Sequence, residues 1–206
     1  AVNPENVRTY LKKNPDTRLV LTQACETSTA VLHPIRELGL VVKDFANTLL
    51  LVDGITALGA MQMPMDEWFI DGLVGGSQKA FMLPTGLALI SFSTKAWSVI
   101  EKATCPRFYF DIRLEKKANQ NGETHFSSPV TLMRPLDVVL QMVLEKGLPQ
   151  HYHEISQRAM ITREWATAMG LKLFSKAPSS SVTGIEVPPE VDSQKLRLLL
   201  EQKYRI

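Results

Sequence analysis

Four short apolar runs constrain this chain most. They are "RLVLTQAC" (18–25), "TLLLVD" (48–53), "LVGGSQ" (73–78) and "LALISFS" (87–93). None alternates apolar with polar residues, as a strand with one wet face would. Unbroken apolar strands belong to sheets covered on both faces, which in practice are parallel sheets flanked by helices. Between the first two runs lies "ETSTAVLHPIRELGLVVKDFAN" (26–47), where Val31, Ile35, Leu38 and Val42 recur at helical spacing. The spacing predicts a mostly helical segment, with Pro34 placed to open a helix in its first turn. Strand, helix and strand at these distances predict an α/β fold, a mostly parallel sheet built from βαβ units.

Beyond 103 the pattern changes. "CPRFYFDIRLEKKANQNGETHFSSP" (105–129) is rich in turn formers and aromatics and reads as a long excursion from the core. Two helical segments follow, "LMRPLDVVLQMVLEKG" and "LPQHYHEISQRAMITREWATAMG", the second ended by Gly170. "LKLFS" and "VTGIEVP" read as strands and "DSQKLRLLLEQKYRI" as a helix. A boundary near 148 divides the expected architecture into a larger α/β unit, 1–148, and the start of a smaller α+β unit, 149–206. Trp97 and Trp165 fall at apolar helical positions and are expected in the core. Met61, Met63 and Met65 are expected to pack rather than ligate.

Composition narrows the functional classes. With 45% hydrophobic residues, 21% charged residues and a net charge of +2, the chain resembles an ordinary globular protein. No basic run suggests nucleic acid or a membrane surface. No apolar run reaches bilayer length, and the polar start "AVNPENVRTY" does not read as a signal peptide. Two cysteines, Cys25 and Cys105, match neither a zinc nor a redox spacing and suit a reducing compartment, so a cytoplasmic protein is expected. His33, His125, His151 and His153 form no metal-binding pattern, and no metal is expected.

In open parallel sheets, ligands bind beyond the carboxyl ends of the strands. The polar residues there are Glu26 and Thr27, Asp53, and Ser77 to Lys79. Asp53 ends one strand and Lys79 follows the next, so the fold would deliver a carboxylate and an amine to one edge. A carboxylate and a lysine together serve pyridoxal phosphate, the lysine as a Schiff base and the acid on the pyridine nitrogen. Taken alone, Asp53 reads equally as a turn or helix-cap aspartate, and Lys79 reads first as a solvated surface lysine.

The local sequences go further. "LLLVDGITALGA" and "DGLVGGSQKAFMLPTGLALISFS" resemble the class V aminotransferases of pyridoxal-phosphate fold type I, in their alanine–glyoxylate and serine–pyruvate (serine–glyoxylate) branch. "ETSTAVLHPI" and "THFSSPVTLM" are similar to two further family segments. The resemblance spans about residues 16–206. It implies transamination between an alanine- or serine-type amino acid and a glyoxylate- or pyruvate-type 2-oxo acid. Lys79 would be the Schiff-base lysine and proton carrier, and Asp53 the partner of the pyridine nitrogen. Ile55 would pack on the ring, Thr27 would lie near its phenolic oxygen, and Gln78 would contact the phosphate. Thr124 and Ser127 would reach the cofactor of a neighbouring subunit, which implies a homodimer. Ala30, Thr85 and Ser127 depart from the family's usual glycine, proline and threonine. The family's upstream phosphate-binding turn and downstream carboxylate-binding arginine find no counterpart, so an internal portion of such an enzyme is expected. A cysteine desulfurase is disfavoured, because Gln78 rather than histidine precedes Lys79 and Cys105 lacks the matching context. A non-catalytic interaction domain is the alternative of another class. A nucleotide-binding domain is disfavoured by the lack of GxGxxG after the first strand.

Overall fold

The computed structural model describes residues 1–206. Helix α1 (Pro4–Lys13) starts where the Asn3 side chain accepts a hydrogen bond from the Glu5 amide at 3.0 Å. Pro4 sits at its first position, Glu5 lies in its first turn, and Lys12 and Lys13 lie in its last. This is the charge order that the helix dipole favours. Strands β1 (Leu19–Gln23), β2 (Cys25–Glu26) and β3 (Val31–Leu32) precede α2 (Ile35–Val42). Strands β4 (Leu49–Asp53), β5 (Gly72–Gly76) and β6 (Ala88–Phe92) follow.

One four-stranded sheet runs in the order β1-β4-β5-β6. β1 pairs with β4 and β4 with β5 in parallel, whereas β6 is antiparallel to β5. The sheet is therefore mixed and mostly parallel, as the apolar runs predict. The β1–α2–β4 unit is the expected crossover. The β4–β5 connection instead descends through turns, with Pro64 and two glycines and no helix.

Leu11 of α1, Ile35, Leu38, Val41 and Val42 of α2, and Leu50, Val52 and Leu73 of the sheet form the core, joined by Cys25. Met61, Met63 and Met65 pack against it as expected. Trp165 does not: it is 70% exposed, because α6 buries its alanine face instead.

Residues 26–47 are helical only from Ile35. Residues 26–34 fold into a two-stranded antiparallel hairpin, β2–β3. The helical spacing of Val31 is coincidental. Val31 bridges Pro178, and the Leu32 amide bonds the Ala177 carbonyl at 2.8 Å, contacts made far along the chain. Ala30, the residue that departs from the family's glycine, adopts φ +55 and is buried. Left-handed backbone is what glycine tolerates best.

The segment 103–129 is not all loop. It carries α4 (Ile112–Asn119), capped by the Asp111 side chain, and it follows α3 (Thr94–Ile100). Helices α5 (Val130–Lys146) and α6 (Leu148–Ala168) meet at Gly147, where φ is +85. The two expected C-terminal strands reduce to a single antiparallel bridge, Leu173 to Ile185. Helix α7 (Ser193–Leu199) is capped by Asp192 and passes into a π-helical turn, Leu200–Tyr204. No helix is long and apolar enough to cross a membrane.

Candidate active site

The carboxyl ends of β1, β4 and β5 lie in register, with Gln23 beside Asp53 and Asp53 beside Val74. Asp53 is exposed at the end of β4, and its Oδ1 accepts the Ile55 amide at 2.9 Å. That bond turns the chain sharply through Gly54 and presents Ile55 at the same edge.

Asp53, Ile55, Thr27, Glu26 and Thr56 line one cavity of about 570 Å³. The Thr27 and Thr56 hydroxyls are 2.8 Å apart and hydrogen-bonded. Glu26 accepts from the Ser28 hydroxyl at 2.6 Å, the Ser28 amide at 2.9 Å and the Gln23 side chain at 2.7 Å. The Ser28 hydroxyl, then its amide, then Gln23 hold the Glu26 carboxyl down from an ordinary 4.5 to about 2. Glu26 is thus an anion already committed to its own turn.

Lys79 opens on an adjoining cavity of about 530 Å³, shared with His151, Arg158, Thr162 and Thr183. Thr56 lines both cavities and joins them. The lysine rides on a braced turn. Ser77 is fully buried, and its hydroxyl donates to the Pro84 carbonyl at 2.6 Å and accepts the Leu87 amide at 3.3 Å. The Met82 amide bonds the Lys79 carbonyl at 2.9 Å, and the Leu83 amide bonds the Ser77 carbonyl at 3.1 Å. Lys79 itself is exposed.

Gln78 and Ile55 meet over Gly76. A Cβ on Gly76 would stand 2.8 Å from Gln78 Oε1 and 3.0 Å from Ile55 Cδ1. Any side chain at 76 would therefore collide with both, so glycine is what lets Gln78 and Ile55 pack there. The fold brings together Thr27, Asp53 and Ile55, sets Gln78 beside Ile55, and places Lys79 around the corner of Thr56. It does not bring Thr124 or Ser127 to either cavity. Both lie in the segment before α5, Thr124 half-buried and Ser127 exposed, and Thr124 Oγ1 is bonded to the Phe126 carbonyl and to Ser128 Oγ, each at 2.6 Å. Sequence reasoning missed Thr56, a threonine of no distinctive spacing. Its position between the cavities depends on the turn after Asp53.

The acid, the amine and the hydroxyl pair gather at one sheet edge, beyond the carboxyl ends of the strands, where α/β folds bind small molecules. Residues 2–206 match the family Aminotransferase class-V, and the chain belongs to that family. An uncharacterized aminotransferase of Methanocaldococcus jannaschii is 38% identical over 98% of this chain and 54% of its own length. A protein of Synechococcus sp. named as a soluble hydrogenase small subunit is 32% identical over all of this chain and 54% of its own. Among solved structures, ureidoglycine-glyoxylate aminotransferase from Bacillus subtilis superposes with a TM-score of 0.90 at 26% identity, over 99% of this chain and 54% of that one. The chain thus spans about half the length of the curated relatives it matches.

Proposed function

We propose that this chain forms part of a pyridoxal-phosphate-dependent aminotransferase, passing an amino group from an alanine- or serine-type amino acid to a glyoxylate- or pyruvate-type 2-oxo acid. One observation carries the reading. Asp53 at the end of β4 and Lys79 in the turn after the neighbouring β5 open onto cavities joined at Thr56. Family membership and the glyoxylate-dependent structural relative support it.

The residues present fit the cofactor. Ile55 supplies an apolar wall to the cavity that Asp53 and Thr27 also line. When bound, pyridoxal phosphate supplies an electron-accepting ring that stabilises the charge left on an amino acid's Cα. Asp53 would keep the pyridine nitrogen protonated, its charge opposite that proton. Lys79 would bond the cofactor's aldehyde carbon and, once displaced by the amino acid, carry a proton from Cα to C4′. Thr27, held by Thr56, would donate its hydroxyl towards the phenolic oxygen. Gln78 would contact the phosphate. Thr124 and Ser127 would serve a neighbouring subunit's cofactor in a homodimer, in keeping with their place away from both of this chain's own cavities. We place the boundary between the larger cofactor-binding unit and the smaller C-terminal unit at 148, and the protein in the cytoplasm.

The test is spectroscopic. The full-length protein mixed with pyridoxal phosphate should develop a visible absorption band, and Lys79→Ala should lose it. A wild-type protein that gives no band overturns the reading. A band without amino transfer from alanine or serine to glyoxylate or pyruvate favours a cofactor-binding, non-transaminating protein.

A further inference from the structure

His151 lies in the first turns of α6, 92 residues along the chain from Gly59. Its Nε2 is 2.8 Å from the Gly59 carbonyl oxygen, and the bond is partly buried. A carbonyl only accepts, so Nε2 must carry the proton. Gly59 adopts φ +85, in the turn that follows Asp53 and carries Ile55 and Thr56. Its Cα side has no room. A Cβ there would lie 3.1 Å from Ala80 Cβ and 3.3 Å from a Phe81 ring carbon.

Ala80 and Phe81 are the two residues after Lys79. Three segments are therefore close neighbours in series: α6 through the His151 ring, the Gly54–Met61 turn through Gly59, and the lysine turn through Ala80 and Phe81, with no room for a side chain between the last two. Phe81 is buried, so displacement of Gly59 is felt by the lysine turn.

We propose that His151 is a positioning residue: its Nε2–H bond to the Gly59 carbonyl clamps α6 onto the Asp53 turn and, through Gly59 against Ala80 and Phe81, holds the turn that presents Lys79. The role of Lys79 rests on the function proposed above; the clamp itself does not. The same bond fixes the angle at which α6 leaves Gly147, because His151 is one turn from that junction. Glutamine can carry an amide N–H to about where imidazole carries Nε2–H. Phenylalanine keeps the ring's bulk and loses the donor.

Two measurements on the full-length protein without cofactor test this. Long-range nitrogen–proton NMR of the His151 ring should find the Nε2–H tautomer; an Nδ1–H tautomer overturns the proposal. Amide hydrogen exchange should rise about tenfold or more at 54–61 and 77–83 in His151→Phe, while 49–52 in the central strand stays unchanged. His151→Gln should restore slow exchange at both turns. Unchanged exchange at 77–83 in His151→Phe overturns the clamp. So does a uniform rise across all strands, which would mark general destabilisation. In the cofactor-loaded full-length protein, His151→Phe should lower kcat with little change in KM, with His151→Gln recovering most of it. If no visible band forms in the wild type, the functional reading fails while the exchange result still decides the clamp.

Discussion

Asp71 is the buried carboxylate on which the far end of the sheet depends. Its Oδ2 accepts the Leu50 amide at 3.0 Å, its Oδ1 accepts the Ser93 hydroxyl at 2.7 Å, and Lys95 Nζ stands 3.8 Å away. With the side chain 9% exposed, these bonds work in a dry setting. Asp71→Ala strands a buried amide and a hydroxyl, so it should cost about 1–3 kcal/mol in urea denaturation. A neutral result would mean that water replaces the carboxylate. Glu26 offers a second test at the same scale. Its carboxyl is held at about 2 in the fold against 4.5 ordinarily, so its contribution to stability is present above about pH 4.5 and is lost as pH falls towards 2. Ser28→Ala removes the largest cause, and carboxyl NMR should then find the Glu26 midpoint raised, with a flatter stability profile across that window. A midpoint left at about 2 would assign the shift to the amide and Gln23 alone.

Both residues were visible in the sequence only as polar groups near the ends of apolar runs. Asp53 and Lys79 stood out for the same reason: a charge after an unbroken apolar strand has few places to go except the sheet edge. Thr56 did not stand out, because nothing in its chemistry or spacing separates it from other threonines. Its importance comes from where the turn after Asp53 sets it.

Among the elements, α2 is set closest to its neighbour. Gly39 on its inner face lets the helix lie against the backbone of Trp68, and a Cβ there would overlap the Trp68 carbonyl. Alanine is the better helix former by about 1 kcal/mol. Yet forcing α2 away from a packed backbone should cost about 1–3 kcal/mol or more, so Gly39→Ala should destabilise. A rise in thermal midpoint would show that α2 can move outward without loss. The element scale is also where sequence reading was least complete. The core face of α2 was legible from its period, but the hairpin before it was not. Residues 26–34 owe their shape to Ala177, Pro178 and Ser179, whose backbones pair with Leu32, Val31 and Ala30. Local periodicity carries no trace of such partners. Similarly, α4 was hidden because its capping Asp111 lies in a segment whose aromatics and turn formers dominate its composition. Arg113, bonded at 2.6 Å, holds the Asp111 carboxyl well below the usual carboxylate range, against the opposing effect of burial.

For the whole molecule, the two faces of the sheet are unequal. α1 and α2 cover the side bearing Val20, Leu50, Val52 and Leu73. The other side carries Leu19 and Leu21 of β1, Leu51, Val74, and Ile90 of β6, placed together by the strand register. There Leu21 is 70% exposed and Ile90 50%. The apolar runs predicted cover on both faces, because residues that alternate inward and outward were equally hydrophobic. The structure of this chain supplies cover on one. An open apolar face ending in the edge strand β1, with unpaired backbone groups beside it, favours self-association. The 206-residue chain should therefore bind a hydrophobic dye and sediment as oligomers whose proportion rises with concentration. Leu21→Lys combined with Ile90→Lys places charge on both margins of that face without touching the α1–α2 core. It should cut dye binding several-fold and return the chain towards monomer, with circular dichroism unchanged. A wild-type chain that stays monomeric and dark to the dye would mean that this face is less available to solvent than its side-chain exposure implies.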